Sequence, residues 1–466
     1  MSKIFPTVAV AMALLLAPPI QAQTIIVDGL FDDWQERKPI HADPTGDAGS
    51  DHETIDFGRL WIAHDADALY IRLELGREVG LQENGTGVYL DVDTNDDGAA
   101  DISWDFSARK GSESLRTLGL AVAPTVTSDE FEIVISRAAL GTAPKFSFSS
   151  GRKAGQGDRL PDKGSVVYNL NNALPPAQPI ALGKQDPNHL RFLSYNTNNR
   201  LFEELRRAPY GRILAAVQPD VVVLQEIRSH TSQATIDYLA PLLPENETWY
   251  HERVGGEASV VLSPFPILQT HPLGDSGAFL LDTRERYGKP LVLIALSMPC
   301  CGNHKPRQKE VEQIQAFIQG VQKGDGPFSV PAQSPILLIG DANLVGPRSQ
   351  QAALIAGPDW DGSPMIDLVP RHTHRPLTFT WFGRDYLPGR LDYAIYSDSV
   401  MTAGNHYVLF TPHMPAATRE RHGLREDDVL VATDHLPLVA DFEWGPSDTE
   451  AQAEADDSQA GVASRP

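Results

Sequence analysis

The stretch ILLIGDANL, residues 336–344, decides the fold of the second half of the chain. Its four consecutive aliphatic residues predict a strand that is buried on both faces. An acid, Asp341, and an amide, Asn343, follow where this strand ends. Ligands bind at the carboxyl ends of the strands in open α/β sheets, so these two residues are candidates for a functional site.

Similar strand ends recur between residues 190 and 444, where apolar runs alternate with helical patterns. A single polar residue beside a strand is usually a turn or a cap. Five such positions in one domain indicate a shared cluster at one edge of a sheet. The further candidates are Asn196 in LRFLSYN, Glu226 after DVVVLQ, Asp392 at the start of DYAIYS, and Asp434 with His435 before LPLVADF.

These segments carry the ordered motifs YN, LQE, GDAN, LDY and TDHLP, which together resemble the endonuclease/exonuclease/phosphatase superfamily. That superfamily includes deoxyribonucleases, abasic-site endonucleases, bacterial sphingomyelinases and inositol polyphosphate phosphatases. The resemblance implies an α/β four-layer sandwich, in which two mixed sheets lie face to face with helices outside. It also implies a hydrolase of phosphate esters that uses Mg²⁺ or Mn²⁺.

The chemistry of phosphate ester hydrolysis requires residues of these types. A divalent cation neutralises charge on the phosphoryl oxygens, and an oriented water attacks opposite the leaving group. Oxygen ligands suit Mg²⁺. The resemblance implies that Glu226 is the main metal ligand, that Asn196 binds the metal directly or through water, and that Asp434 contributes from the other side. It also implies that Asp341 orients or deprotonates the water and that Asn343 holds a phosphate oxygen. By the same resemblance, His435, positioned by Asp392, is a base or a cationic phosphate contact.

One position departs from the superfamily pattern. After the strand PLVLIALS most relatives carry a histidine, whereas this chain has Ser297, which cannot act as a general acid near neutral pH. His304, in the same loop, is either a substitute that contacts substrate or a surface histidine. Arg307 matches an arginine that opens a helix in the superfamily, and we expect it to order the loop.

The loop TFTWFGRDYLPGR precedes Asp392 and faces the substrate in the superfamily. Trp381 is therefore a candidate for stacking on a base or a sugar ring. Phe379 and Trp381 are equally consistent with packing in the core, and the sequence leaves both interpretations open.

Residues 23–172 are predicted to form a separate first domain. Short alternating runs such as RLWIAHDADALYIRLEL, separated by turn residues, indicate an all-β sandwich. That hairpin and the DG…DW opening, Asp28 to Trp34, resemble family 9 carbohydrate-binding modules, which implies glycan binding. The proline-rich stretch 173–189 is predicted as the linker to the catalytic domain at 190–444.

The loop DVDTNDDGAAD in the first domain has the spacing of a calcium loop, with Gly98 at its tight bend. Its oxygen-bearing side chains are Asp93, Asn95, Asp97 and Asp101. The usual bidentate glutamate is missing, because Trp104 occupies the last loop position. The loop is either a structural Ca²⁺ site or a polar hairpin turn.

The first residues, MSKIFPTVAVAMALLLAPPIQAQ, have the pattern of a signal peptide at 1–22, so we expect a secreted or periplasmic protein. The acidic segment 445–466 is expected to be disordered. Cys300 and Cys301 are adjacent, and they are either packed thiols or a strained vicinal disulfide. No second cysteine or histidine pair completes a zinc site.

The formal net charge is −22, and neither predicted domain has the basic balance that favours non-specific nucleic-acid binding. Bound cations or a local groove can reverse a modest mean charge. We hypothesise a phosphodiesterase with nuclease-like activity on substrates such as extracellular nucleic acid. The alternatives are a sphingomyelinase-like or other small-molecule phosphodiesterase or phosphatase, and an inactive binding protein that acts through the β-sandwich. We expect a monomer without stable membrane association.

Overall fold

The computed structural model describes residues 24–48, 55–151, 157–243 and 248–445. The predicted signal peptide lies outside these ranges, as does the predicted acidic tail after residue 445. Within the described ranges, no helix is both long enough and apolar enough to cross a membrane.

The described part of the first domain is built of strands, with one short α-helix and two 3-10 helices at Asp32–Trp34 and Arg137–Ala139. Its elements are β1 (His41–Ala42), β2 (Arg59–His64), β3 (Ala68–Val79), β4 (Tyr89–Asp93), β5 (Ile102–Asp105), β6 (Lys110–Gly111), α1 (Leu115–Leu118), β7 (Ala121–Ala123), β8 (Ser128–Ser136), β9 (Lys145–Ser149), β10 (Arg159–Leu160) and β11 (Val166–Val167). The strands form antiparallel sheets with the orders β1-β2-β3-β8-β7 and β10-β9-β4-β5-β6, and β11 pairs with β9.

One of these sheets is buried on both faces. Leu69, Ile71 and Leu73 of β3 point into the core between the two sheets. Ala68 and Tyr70 lie on the other face of β3, in a core shared with the second domain. The all-β prediction for the first domain is therefore confirmed, and its five-stranded sheet packs against the second domain.

Glu132 of β8 explains the DG…DW opening of the first domain. Its Oε2 accepts hydrogen bonds from the backbone N–H of Asp28 at 2.9 Å and of Gly29 at 2.7 Å. Its Oε1 accepts one from the indole N–H of Trp34 at 2.7 Å. Gly29 has φ 81°, and a Cβ there would lie 2.9 Å from Pro124. The motif therefore ties the first segment of the chain to the sheet.

The second domain alternates strands and helices. Its elements are β12 (Leu190–Asn196), α2 (Glu204–Val217), β13 (Val221–Gln225), α3 (Ser232–Leu239), β14 (Tyr250–Val254), β15 (Ser259–Ser263), β16 (Ile267–Leu273), β17 (Ser276–Leu281), α4 (Arg284–Tyr287), β18 (Leu291–Ser297), α5 (His304–Lys323), β19 (Ile336–Asp341), α6 (Arg348–Ile355), β20 (Ile366–Leu368), β21 (Asp392–Tyr396), β22 (Thr402–Val408), α7 (Ala416–Arg421), α8 (Asp428–Ala432) and β23 (Leu438–Glu443). Their sheet orders are β14-β15-β13-β12-β23-β22 and β16-β17-β18-β19-β21-β20.

Both sheets of the second domain are mixed, with parallel pairs β12/β13 and β18/β19. Phe192 of β12 and Leu337 and Ile339 of β19 share the core between the two sheets. Leu193 faces the outer core under α2, and Leu338 faces the outer core under α5 and α6. The aliphatic run 336–339 is thus buried on both faces, and the four-layer sandwich is confirmed.

The predicted linker, residues 173–189, contains no strand or helix and lies against both domains. The backbone N–H of Leu174 donates to the carbonyl of His64 in the first domain at 2.7 Å. The backbone N–H of Ile180 donates to the carbonyl of Thr373 in the second domain at 2.8 Å. This segment therefore holds the two domains in contact.

Candidate active site

Side-chain alternation brings polar residues from both sheets of the second domain together. Asn196 continues the inner face of β12 after Phe192, and Asp341 continues the inner face of β19 after Ile339. Asp392 begins β21 and is paired with Asp341 on the neighbouring strand. All three polar side chains are buried, and Asn196 Nδ2 lies 2.9 Å from Asp341 Oδ2.

Asp341 is the centre of this hydrogen-bond network. Its Oδ2 accepts from Nδ2 of Asn196 and, at 2.8 Å, from Nδ2 of Asn343, while its Oδ1 accepts from the backbone N–H of Asn343 at 3.0 Å. Nδ2 of Asn343 also donates to the carbonyl of Met298 at 2.9 Å. Both amide hydrogens of Asn343 are therefore in use, and the predicted contact with a phosphate oxygen would require one of them to be released.

His435 lies between two buried carboxylates. Its Nδ1 is 2.9 Å from Asp392 Oδ2, and its Nε2 is 3.8 Å from Asp341 Oδ2. Burial disfavours the imidazolium, but Asp392 and Asp341 outweigh this effect and raise the pKa of His435 to about 10. Burial raises the pKa of Asp341 to about 7, against the opposing charge of His435. A carboxyl group with such a pKa suits proton transfer near neutral pH.

Glu226 lies directly after β13, in a left-handed backbone conformation with φ 60°. Its Oε1 accepts from Nδ2 of Asn196 at 3.1 Å, and Nη2 of Arg228 lies 3.1 Å from its Oε2. The strained turn after the strand thus places this carboxylate beside the Asn196–Asp341 pair.

Asp434 precedes β23, which pairs with β12 on the side opposite β13. Its Oδ1 accepts from Nδ2 of Asn198 at 3.0 Å, and its Oδ2 accepts from the indole N–H of Trp381 at 3.3 Å. Burial acts to raise the pKa of Asp434, but His435 and the hydrogen bond from Asn198 outweigh it and hold this pKa below its usual range. Asp434 is therefore anionic at a pH near the pKa of Asp341, and active sites use such a separation of pKa values between two carboxyl groups.

Residues 193–435, just over half of the chain, match a family model described as the Endonuclease/Exonuclease/phosphatase family. The chain belongs to the endonuclease/exonuclease/phosphatase family. It is accordingly a metal-dependent hydrolase that acts on phosphate ester bonds.

Several solved structures of low identity are similar to this member of the endonuclease/exonuclease/phosphatase family. Sphingomyelinase C from Streptomyces griseocarneus has 18% identity and a TM-score of 0.37, covering 54% of this chain and 99% of its own. A humanised D. rerio TDP2 has 14% identity and a TM-score of 0.34, covering 55% and 99%. A Staphylococcus aureus beta toxin with bound magnesium ions has 14% identity and a TM-score of 0.34, covering 55% and 100%. A comparison with curated proteins found no match.

The donor set of this endonuclease/exonuclease/phosphatase site fits the divalent cation that the family implies. Glu226 and Asp434 line a common cleft with their carboxylates. Asn196 Oδ1 accepts only the backbone N–H of Asn198, at 2.8 Å, among the described residues and so retains a lone pair. All three are oxygen donors, which hard divalent cations prefer.

Asp341, Asp392 and His435 also offer ligand atoms within 4.8 Å of one another. Asp392 is fully buried, however, and its Oδ2 is already paired with His435. The Asp392–His435 hydrogen bond thus makes this trio less suited to a metal than the oxygen donors of Glu226 and Asp434.

Ser297, the departure from the family pattern, is buried and pairs with Asp341 across β18 and β19. His304 begins α5, and its half-buried side chain lines the same cleft as Asp341. The fold thus brings His304 into the cleft of the site, and its action as a substitute for the family histidine stays a prediction.

Arg307 orders the loop between β18 and α5, as its position predicts. Its guanidinium donates to the carbonyls of Pro299 at 3.0 Å and Cys301 at 2.8 Å. Cys300 and Cys301 are free thiols at the cleft surface, with their Sγ atoms 2.6 Å apart. Neither belongs to a group of three or more potential metal ligands among the described residues.

The site opens into an interdomain cleft of about 540 Å³, which both domains line. The first domain contributes Gln82 and Arg109, and the second contributes Trp381 and Tyr386. The Arg109 guanidinium lies 4.3 Å from the ring centre of Tyr386, and its Nη1 donates to the carbonyl of Gln82 at 2.8 Å. Gln82 Oε1 accepts from the backbone N–H of Leu387 at 2.7 Å. The β-sandwich is therefore one wall of the cleft.

The structure decides between core packing and a position in the cleft for Phe379 and Trp381, which the sequence left open. Phe379 is buried in the core, where its ring lies 5.8 Å from Phe382 and 5.4 Å from Phe410. Trp381 lies half-buried in the cleft with its indole N–H on Asp434. Phe379 is thus a packing residue, and Trp381 is in contact with the site.

The residues of the site that sequence reasoning missed are Asn198, Arg228, Gln82 and Arg109. Asn198 had a local signal, because it lies in the asparagine-rich turn YNTNNR directly after β12. Arg228 lies two positions after Glu226, but a lone arginine after a strand has no specific meaning. Gln82 and Arg109 had no signal, because only the packing of the domains brings them to the cleft.

The predicted calcium loop is stabilised by its own backbone. Asp93 Oδ1 accepts from the N–H of Asn95 at 3.2 Å and of Asp96 at 2.7 Å, and Oδ2 accepts from Gly98 at 3.1 Å. Lys145 Nζ lies 3.9 Å from Asp93 Oδ2. These contacts are those of a polar hairpin turn, and calcium binding by this loop stays a prediction.

Proposed function

We propose that this chain is an exported phosphodiesterase with nuclease-like activity that uses Mg²⁺ or Mn²⁺. The observation that carries the proposal is the convergence of Glu226, Asp341, Asp434 and His435 in a cleft larger than a phosphate group needs. The cleft volume, about 540 Å³, is in the range that accommodates drug-sized ligands. A phosphodiester with a group on each side of phosphorus fits such a cleft better than a phosphomonoester does.

Each residue has a role in the proposed hydrolysis. Asp341 accepts a proton from the attacking water, and the amides of Asn196 and Asn343 hold its carboxylate in place. His435, oriented by Asp392, contacts a phosphoryl oxygen through the Nε2 that faces Asp341. The cation, held by Glu226, Asn196 and Asp434, would neutralise charge on the phosphoryl and leaving oxygens.

Aromatic side chains favour a nucleotide substrate. Trp381 and Tyr386 of the second domain line the cleft, and Tyr386 lies beside Arg109 of the first domain. Nucleobases stack on such rings without sequence preference, which suits an enzyme that degrades nucleic acid generally. Arg109 adds a positive charge over Tyr386, in a chain that is otherwise acidic.

The test is a hydrolysis panel with the full chain, in Mg²⁺ and in EDTA. We expect Mg²⁺-dependent cleavage of bis(4-nitrophenyl) phosphate and of single-stranded DNA, and slower cleavage of 4-nitrophenyl phosphate. Glu226→Ala and His435→Ala should lose this activity, and Glu420→Gln, on the exposed face of α7, should retain it. Faster hydrolysis of a choline phospholipid than of any nucleic acid would contradict the nuclease assignment. Failure to hydrolyse any member of the panel would contradict the phosphodiesterase assignment.

Export is tested separately, by determining the N-terminus of the protein recovered outside the cytoplasm. We expect it to begin at Gln23, after removal of residues 1–22. Recovery of a chain that retains Met1 would contradict this part of the proposal.

A further inference from the structure

A second group of carboxylates, which we call the sandwich cluster, converges in the first domain outside the cleft. It consists of Asp43, Asp47, Asp158 and Asp162, and one ligand oxygen from each lies within 4.8 Å of the others. Asp43 and Asp47 follow β1, whereas Asp158 and Asp162 flank β10. The two segments come from different sheets, so the fold assembles the cluster.

Asp43 distinguishes this cluster from an ordinary group of surface acids. The residue is 7% exposed, and its carboxylate is fully buried. Among the described residues, neither carboxylate oxygen has a hydrogen-bond partner, and the basic atom that pairs with the carboxylate is Nε2 of His41, 3.5 Å from Oδ1. A buried carboxylate without a partner is strongly unfavourable, and this one faces three further carboxylates.

The described part of the chain does not supply the missing positive charge through a lysine or an arginine. Among the residues that the structure describes, no lysine or arginine forms an ion pair with any member of the cluster. The oxygens of Asp158 accept backbone N–H groups of Phe57 and Arg159, each at 2.6 Å, which fixes this carboxylate in place. Burial, with Asp158, Asp162 and Asp47 nearby, raises the pKa of Asp43 to about 7.

The donor set indicates which ion is missing. All four ligands are carboxylates, and two of them, Asp47 and Asp162, are exposed and can adjust to a ligand. Two oxygens that bind one Ca²⁺ can lie up to about 5 Å apart, and the spacing of the cluster satisfies this limit. We propose that the sandwich cluster binds one structural Ca²⁺, which joins the segment after β1 to β10.

This site differs from the predicted calcium loop at Asp93. In that loop, backbone N–H groups and Lys145 already balance the carboxylate. The loop therefore supplies a matched control, because Asp97 is an exposed aspartate in the same domain.

The test is thermal unfolding of the full chain in excess Mg²⁺, with Ca²⁺ or with EGTA. Mg²⁺ is present throughout so that the catalytic cation site does not contribute to the difference. We expect Ca²⁺ to raise the Tm of the first domain by about 5–10 °C at 100 times its Kd. Calorimetric titration should show one Ca²⁺ fewer for Asp47→Asn/Asp162→Asn than for the wild type.

The variants decide whether the cluster is responsible. Asp47→Asn/Asp162→Asn alters exposed side chains, so it should fold and yet lose most of the Ca²⁺-dependent Tm shift. Asp97→Asn should retain the full shift. The proposal is overturned if Ca²⁺ does not shift the wild-type Tm, or if the shift survives in the double variant. Loss of the shift in Asp97→Asn alone would also overturn it, in favour of the loop.

Discussion

The two carboxylate groups of this protein contrast in how their charge is balanced. In the catalytic cleft, Asp341 accepts three hydrogen bonds from asparagine N–H groups and faces His435. In the sandwich cluster, Asp43 is also buried but has no hydrogen-bond partner among the described residues. A buried aspartate thus has hydrogen-bond donors that suit proton transfer in the second domain, whereas in the first domain its charge is balanced only if a cation binds. Buried carboxylates become functional or structural according to the donors around them.

The largest expected effect is on catalytic activity, at a residue whose substitution should leave stability almost unchanged. Glu226→Gln should lower kcat/KM for bis(4-nitrophenyl) phosphate by about 1,000-fold, because it removes the negative charge of the proposed metal ligand. Its Tm should stay within about 2 °C of the wild type, because Glu226 is partly exposed. Stopped assays with Glu420→Gln as control measure the first effect, and calorimetry measures the second. A Glu226→Gln variant that keeps its activity would remove this residue from the site.

A third buried carboxylate, Glu132, sharpens the comparison because, among the described residues, it accepts hydrogen bonds but forms no ion pair. Burial, reinforced by the charge of Asp28, raises its pKa from 4.5 to about 8, so the folded chain binds this proton more tightly than the unfolded chain does. The contribution of Glu132 to stability is therefore present at low pH and falls as pH rises through this window. Relative to Glu132→Gln, the wild type should lose on the order of 2–3 kcal/mol between pH of about 5 and about 8.

Urea titrations of both proteins across this pH range measure the effect of Glu132. Asp129→Asn, an exposed position on the same strand, is the control and should follow the wild type. The opposite result would be a free energy of unfolding of the wild type that rises with pH relative to that of Glu132→Gln. It would mean that the hydrogen bonds from Asp28, Gly29 and Trp34 outweigh the effect of burial on the pKa of Glu132.

A smaller effect with an unusual sign is expected within the sandwich cluster. In EDTA, Asp43→Asn should raise the free energy of unfolding by about 1–2 kcal/mol, because it removes a buried charge that accepts no hydrogen bond from the described residues. Asp158→Asn should lower it by a similar amount, because an amide cannot accept both backbone N–H groups of Phe57 and Arg159. Urea denaturation of the metal-free proteins compares the two variants. Destabilisation by both would indicate that Asp43 has a partner in the metal-free protein.

The sequence predicted the catalytic cleft better than the sandwich cluster, for a physical reason. Residues such as Asp341 and Glu226 follow apolar runs, and strand direction and alternation then dictate which side chains meet at a sheet edge. The position of Ser297 beside Asp341 follows from the same rule. The four-layer sandwich was predicted through the family resemblance and the two-sided burial of the run 336–339.

The sandwich cluster has no such local signal. Asp43 and Asp158 lie in unrelated loops, and neither occurs at a recognisable ligand spacing. The loop beginning at Asp93 attracted the calcium prediction because its spacing is local and matches a known pattern. Contacts between the domains cannot be predicted from local sequence for the same reason. Tyr70 packs against residues of the second domain, and the sequence of its own strand does not indicate which residues these are.

The smallest expected effect concerns the wall of the cleft that the first domain supplies. Arg109→Ala should raise KM for a dinucleotide about 5-fold, because it removes the cation that stacks on Tyr386. KM for methyl 4-nitrophenyl phosphate, which does not reach this wall, should stay unchanged. Lys110→Ala, the exposed neighbour, is the matched control. An equal change in KM for both substrates would mean that Arg109 acts through the packing of the two domains. The β-sandwich would then take no part in recognising the substrate.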